Sequence, residues 1–373
     1  MDLTGKPGIL KEINSSMIER LVYKYGALSK SKLAEIAKLS IPTVNKIVDD
    51  LERKGRICSV GMTSEGAGRK AMLYQINKDS GCMVVLYSSG DQYLCRLSDI
   101  AGNTLIEELC PLDNSSKEAA LNSTISAINT ISDRAPSEVK VIGVGVPGVV
   151  APDGRLWGIP KIEVWEGFNL EKMLSGFYDA VIYIENDVKL STLGYYLKHM
   201  GDELDNELNN MVYIYAGKGM GSGIIMNKKL YRGSTNFSGE LGYMAPLDGV
   251  LPTRDFTLEG GYLESKLNPQ FCGAGNNGEI CDKGMNEVLV SYFTAIAANY
   301  IAIIDPDAII FGGEAFDAFL IEKIEQNIKY YSPKRSIPRL VYDTSDKMGV
   351  EGLVLACMGN ITTVIQLVQD GWV

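Results

Sequence analysis

Between Asn210 and Met244 the chain reads NMVYIYAGKGMGSGIIMNKKLYRGSTNFSGELGYM. Two apolar runs, 211–215 and 223–226, flank a stretch with glycine at 217, 219, 221 and 223. That spacing predicts a hairpin almost bare of side chains at its turn, so that another backbone or a ligand can approach closely. A turn of this kind either cradles a phosphate or serves packing alone. The segment that follows, Gly239-Glu240-Leu241-Gly242-Tyr243, sets a carboxylate between two glycines, where it is placed for a ligand rather than for packing.

Further acids stand at comparable places. Ile184-Glu185-Asn186-Asp187 ends a predicted strand with two carboxylates and an amide, and Gly260-Gly261-Tyr262-Leu263-Glu264 offers another. Carboxylates grouped with an amide suit a polyol, because a carboxylate accepts hydrogen bonds from vicinal hydroxyls. With Gly143-Val144-Gly145-Val146-Pro147-Gly148 upstream, these motifs resemble, in order and spacing, the ROK family of sugar kinases and sugar-responsive repressors from about residue 80 onward. The resemblance implies a two-lobed, actin-like (ribonuclease H-like) α/β fold with a sugar or sugar phosphate held between the lobes. Gly148, Asn186, Asp187, Glu240, Tyr243 and Glu264 are the residues it assigns to that effector.

In the family's kinases, the place of Asp187 belongs to the base that takes the proton from the attacking hydroxyl. The phosphate loops depart from that pattern. Where the family has Asp-x-Gly-x-Thr, this chain has Tyr87-Ser88-Ser89-Gly90-Asp91, and Gly217-Lys218-Gly219 replaces Gly-Thr-Gly. An aspartate turned toward a desolvated triphosphate is unfavourable by roughly several kcal/mol. No ATP cofactor and no catalysis are therefore expected; the alternative is a sugar kinase with Asp187 as base. The family's zinc ligands fall on Tyr243, Asp255, Thr257 and Tyr262, none of which keeps the family's His or Cys. Cys272 and Cys281 have poor spacing for a site, so no zinc is expected. The single histidine, His199, reads as a packing or surface residue.

The first 78 residues have a different character. They carry 14 Lys+Arg against 8 Asp+Glu, a balance of +6, whereas the whole chain is at −10. A basic head on an acidic body points to a polyanionic partner for the head alone. Apolar spacing predicts a helix over 14–25 and a second over 32–38 capped by Ser31. A third follows Ser40 as N-cap with Pro42 in its first turn. Val44, Ile47, Val48 and Leu51 make its buried face, leaving Thr43, Asn45 and Lys46 outward. Short strands at 56–60 and 72–76 then read as a wing. Such a winged helix-turn-helix lays its second motif helix in the major groove of duplex DNA; the alternative is a three-helix bundle for protein contact. LSIPTVNKIVDDLERKG and Gly66-Ala67-Gly68-Arg69-Lys70 also resemble the heads of ROK repressors, which implies Arg69 in the minor groove. Lys70 is expected on a phosphate.

Three units are expected: a head over 1–78, a first α/β lobe over 79–198 completed by a C-terminal helix within 355–373, and a second lobe over 199–354. Seven scattered cysteines without C-x-x-C spacing fit reduced thiols and a cytoplasmic setting. No apolar run of the ~18 residues a membrane span needs is read from the sequence. The expected partners are operator DNA, a sugar or sugar phosphate, and a second copy in a homodimer or tetramer. Lys161 and Lys218 would suit a phosphorylated effector if they face the cleft.

Overall fold

Three runs that are apolar on both faces, Cys82–Ser89, Val139–Val146 and Ala308–Gly312, are buried nearly throughout. A strand buried on both faces belongs in the middle of a sheet covered by helices on both sides. A computed structural model shows this arrangement and describes residues 7–62, 70–159, 162–199, 208–217, 219–245, 261–272, 283–333, 336–345 and 347–361.

The head contains α1 (Pro7–Tyr25), β1 (Leu28–Ser29), α2 (Lys30–Ala37), α3 (Ile41–Arg53), β2 (Ile57–Met62) and β3 (Met72–Ile76). Its strands form a small sheet in the order β1-β3-β2. Ile18, Val22, Leu33, Val44, Ile47, Val48, Leu51 and Ile57 close its core. Ser29, not Ser31, caps α2: its hydroxyl accepts from the amide of Lys32 at 3.2 Å. The pairing of Leu28 and Ser29 with Tyr74 and Leu73 holds the chain extended up to that point, so the helix starts two residues early. The first helix also begins earlier than expected, at Pro7.

The body opens with β4 (Cys82–Ser89), β5 (Gln92–Asp99), β6 (Thr104–Pro111), α4 (Lys117–Ser132), β7 (Val139–Val146), β8 (Val149–Val150) and β9 (Leu156–Trp157). It continues through α5 (Leu170–Leu174), β10 (Val181–Asn186) and α6 (Asp187–His199). The remainder is β11 (Met211–Ala216), β12 (Met220–Met226), β13 (Lys229–Tyr231), α7 (Tyr262–Cys272), α8 (Lys283–Ile304), β14 (Ala308–Gly312), α9 (Ala318–Ile328), β15 (Arg339–Asp343) and α10 (Met348–Ile361). The two mixed sheets, β10-β7-β4-β5-β6 and β13-β12-β11-β14-β15, share one topology. In each, the first strand is central, with an antiparallel meander on one side and two parallel strands on the other.

Packing stacks these elements in layers. Helices α4 and α5 cover the outer face of the first sheet, through Ala120, Ile128, Ile131, Leu170 and Leu174. Its inner face, Met83, Val85 and Val141, meets Leu190 of α6 and Val350, Leu353 and Cys357 of α10. Helix α6 also meets the second sheet, where Val188, Tyr195 and Tyr196 pack on Met211, Tyr213 and Ile310. The far face of the second sheet carries α7, α8 and α9. Between the sheets, α6 and α10 touch backbone to backbone. A Cβ on Gly194 would lie 2.2 Å from the Met348 carbonyl oxygen, and one on Gly352 would lie 1.9 Å from that of Leu190. Arg96, buried on β5, binds Glu107 at 2.6 Å and Glu351 of α10 at 2.9 Å.

Among the described residues one apolar helical run does reach membrane-span length: 287–304 of α8, with a mean hydropathy of 1.6. Its Leu289, Phe293, Ile296, Ala297 and Ile301 face the core of the second lobe, which accounts for that composition.

Candidate functional site

Strand β10 and helix α6 meet without a linker, so Glu185, Asn186 and Asp187 are held at a strand end and a helix start at once. Asn186 works as a local brace. Its amide donates to the Gly148 carbonyl at 2.8 Å and to Asp187 Oδ1 at 3.0 Å, while its Oδ1 accepts from the Lys189 amide at 2.9 Å. Gly148 has φ of +76°, and a Cβ there would fall 2.3 Å from Ile159, so the turn that presents its carbonyl needs glycine. Asp187 Oδ1 accepts from the Val188 amide at 2.8 Å. Burial raises the Asp187 carboxyl to about 6, against the helix-start amide and Lys189, which pull it down.

Glu240 comes from the second lobe, just before the tight turn Leu241–Tyr243. Burial pushes its carboxyl up to about 7, with Lys189 opposing and the charges of Asp187 and Glu264 adding to the rise. Glu264 is buried on α7, a helix the sequence reading did not anticipate. Gly239 lets the Glu240 segment lie against the hairpin, since a Cβ there would strike the Ser222 carbonyl at 2.0 Å. Asn186, Asp187, Glu240 and Glu264 thus form one acidic, amide-braced group assembled from both lobes. The Tyr243 ring packs edge-on against Phe237 at 5.2 Å, and Phe237 stacks on Trp157 at 5.2 Å. Of the four positions where the family holds its zinc, Asp255 and Thr257 lie outside the described residues, and Tyr243 and Tyr262 offer phenols in place of imidazole or thiolate. Among the described residues no group of three or more His, Cys, Asp or Glu could hold a metal ion. His199 packs on Tyr195, ring centroids 4.4 Å apart.

Glu185, read from the sequence with the ligand acids, is spoken for. Arg232 donates to its Oε2 through Nε at 3.0 Å and Nη2 at 2.7 Å, and the Asn186 amide donates to Oε1 at 3.0 Å. The residues that sequence reasoning missed are Arg232, Asn236, Phe237, Trp157 and Lys189. Asn236 Nδ2 donates to the Val150 carbonyl at 2.7 Å, and Lys189 Nζ donates to the Asn236 carbonyl at 2.8 Å. The segment 232–240 therefore straps the second lobe to β8, β9, β10 and α6 of the first. Its only sequence signal was the polar Arg-Gly-Ser-Thr-Asn run after β13.

The glycine turn has its own occupant. A Cβ on Gly217 would lie 1.9 Å from Glu314 Oε2, so this carboxylate rests directly on the turn, where Tyr215 donates to it at 3.3 Å. Tyr87 is packed so tightly against Gly349 that a Cβ there would fall 2.3 Å from its ring. Burial raises the Tyr87 hydroxyl far above its usual range, so it stays a neutral phenol.

On the head, Ser40 is exposed and caps α3, its hydroxyl accepting from the Thr43 amide at 3.3 Å and lying 2.8 Å from the Thr43 hydroxyl. Pro42 and Lys46 are exposed, Thr43 and Asn45 half-buried, and Lys70 is exposed before β3. Asp50 turns inward, where Lys54 and Lys11, with Arg53, draw its carboxyl down to about 2. Arg69, Lys161, Lys218, Asp255, Thr257 and Cys281 lie outside the described residues.

Similar proteins give this geometry its context. The ROK family model matches residues 88–286. A xylose repressor of Caldicellulosiruptor bescii is 24% identical over 96% of this chain and 97% of its own length. The Escherichia coli regulator NagC is 25% identical over 98% of each chain. A crystal structure of a ROK family transcriptional regulator, a homologue of E. coli MLC, superposes with a TM-score of 0.74 at 19% identity, covering 97% of this chain and 100% of the other. Family match, shared length and shared fold agree, and the chain belongs to the ROK family.

Proposed function

We propose that this protein is a sugar-responsive transcriptional repressor that binds operator DNA as a homodimer and senses its effector between the lobes. The observation that carries this reading is the contrast between two sites. Asn186 braces Asp187, and Glu240 feels the charges of Asp187 and Glu264, which this reading takes as the polyol group; Glu314 lies on the glycine turn and Tyr87 against Gly349, where it puts the family's phosphate loops. In this reading the acidic group holds a sugar, and the carboxylate and phenol on the other side disfavour the nucleotide that would phosphorylate it. Resemblance to proteins named xylose repressor and NagC supports regulation of carbohydrate use.

The head, residues 1–78, is the winged helix-turn-helix in this reading. Ser40, Pro42, Thr43, Asn45 and Lys46 meet the major groove, Lys70 a phosphate, and Arg69 the minor groove. Asp50 is no obstacle to the phosphates, because its charge is balanced inside the head. Two heads in one dimer would occupy half-sites about one helical turn or a multiple apart. Residues 79–198 with α10 form the first lobe and 199–347 the second, so the boundary expected at 354 falls inside a helix that packs on the first sheet, in a cytoplasmic protein. A sugar that binds two lobe arrangements unequally shifts the population between them and so changes operator affinity.

Fluorescence anisotropy on DNA from upstream of the protein's own gene, at fixed salt, tests the reading with a panel of sugars and sugar phosphates. Release by one of them is the expected result; tight binding indifferent to every sugar would overturn the sensing role. Mg-ATP with the same panel should give no ADP above background, and turnover lost in Asp187→Ala would make the protein a kinase.

A further inference from the structure

Lys189 is among the largest fully buried side chains in the molecule, at 1% exposure, although lysine is rarely buried without a reason. It lies on the first turn of α6, two residues after Asp187. Its ammonium donates to the Asn236 carbonyl at 2.8 Å, on the strap that crosses from the second lobe. Asn236 itself adopts a left-handed backbone, φ +62°, and anchors onward to Val150. The same ammonium lies close enough to Asp187 and Glu240 to oppose the effect of burial on both carboxyls. The other titratable groups around this pair are Glu264, Tyr300, Tyr87, Tyr215 and Glu314, all acidic or neutral, and Arg232 is committed to Glu185.

A buried ammonium that donates to a backbone carbonyl and opposes the effect of burial on two carboxyls is committed to the protein's own groups rather than offered to an effector phosphate. Its chemistry is that of an internal counter-ion. Without it, two carboxylates in a desolvated cleft could not both remain ionised, and a protonated carboxyl loses acceptor capacity for sugar hydroxyls.

We propose that Lys189 is a positioning residue of the effector site, whose buried ammonium keeps Asp187 and Glu240 available as hydroxyl acceptors while clamping the Asn236 strap across the cleft. This inference rests on the sugar-sensing reading for its first half; the clamp stands independently of it. The effector class it favours is a neutral polyol, held by carboxylates whose charge is balanced from within.

Two substitutions separate the roles. Lys189→Gln can still donate to the Asn236 carbonyl but carries no charge; Lys189→Met has neither donor nor charge at similar volume. Isothermal titration with the releasing sugar, from pH 5 to 9, should show wild-type affinity rising through the range where the two carboxyls ionise. For Lys189→Gln the midpoint should move up by about one unit, with about tenfold weaker binding at pH 7 that recovers by pH 9. A defect of folding would not recover with pH. An unchanged midpoint, or a loss that is constant with pH, overturns the counter-ion role. Hydrogen exchange on the ligand-free protein reads the clamp directly: peptides spanning 232–245 should exchange at least tenfold faster in Lys189→Met and not in Lys189→Gln. Equal exchange in wild type and Lys189→Met overturns the clamp. Failure of the wild type to bind any sugar would refute the sensing function, with the exchange result still deciding the clamp.

Discussion

Glu19 offers the most direct test of how the head is held together. It is 4% exposed on α1, and its Oε1 receives Arg56 Nε at 2.6 Å while its Oε2 has no hydrogen-bond partner. Burial outweighs the pull of Arg56 and Lys54 and raises the carboxyl from 4.5 to about 7. A group whose pKa is raised on folding favours the folded state below its unfolded value and loses that contribution as pH rises through its folded value. The window here runs from about pH 4.5 to 7. At about 1.4 kcal/mol per unit, the shift amounts to roughly 3 kcal/mol as an upper bound. Glu19→Gln removes the titration while keeping an acceptor for Arg56. Its new amide donors take the place of the unpartnered oxygen, a cost of about 1 kcal/mol. The head of the variant should therefore be more stable than wild type by about 1–2 kcal/mol at pH 8 and slightly less stable at pH 4. Hydrogen exchange of α1 and α3 peptides in the full chain, measured across that range, gives local opening free energies. Parallel pH profiles for the two proteins would refute the reasoning.

Three further outcomes are expected. Gly352→Ala places a methyl 1.9 Å from the Leu190 carbonyl and must part α6 from α10, costing about 2–3 kcal/mol, read as a lowered denaturant midpoint; an unchanged midpoint would mean the helices slide freely. Ser40→Ala removes the α3 cap and should cost about 1 kcal/mol of head stability and weaken operator binding, which anisotropy detects. Arg69→Ala should weaken operator binding and flatten its salt dependence by about one unit of slope, and unchanged affinity would remove Arg69 from the interface.

Local signals in the sequence were strong where the physics is local. The apolar spacing of Val44, Ile47, Val48 and Leu51, with Ser40 and Pro42 before them, is enough to draw α3. The glycine hairpin could be placed because few other structures tolerate glycine at every second residue. Ser29 and Ser31 are equally good caps on paper, and a pairing with Tyr74, 46 residues away from Leu28, decided between them. Helix α7 was hidden by glycines before it and Pro269 within it. In the site, acids could be found but not sorted. Glu185 and Asp187 are two residues apart, yet Arg232 ties up the first and leaves the second. Lys189 looked like any helix lysine, because its burial depends on a strap arriving from 47 residues downstream.

The inner face of the first sheet is completed by α10, which follows the last strand of the second. On a ribosome, then, Met83, Val85 and Val141 are made long before their cover. Roughly 200 residues separate the end of β7 from α10, which at about 5–20 residues per second is about 10–40 s of exposed apolar surface. Helix α6 arrives early and can shield part of it through Leu190. The rest waits for α10 to emerge, and a chain stopped before Met348 would leave the ribosome with that surface still bare.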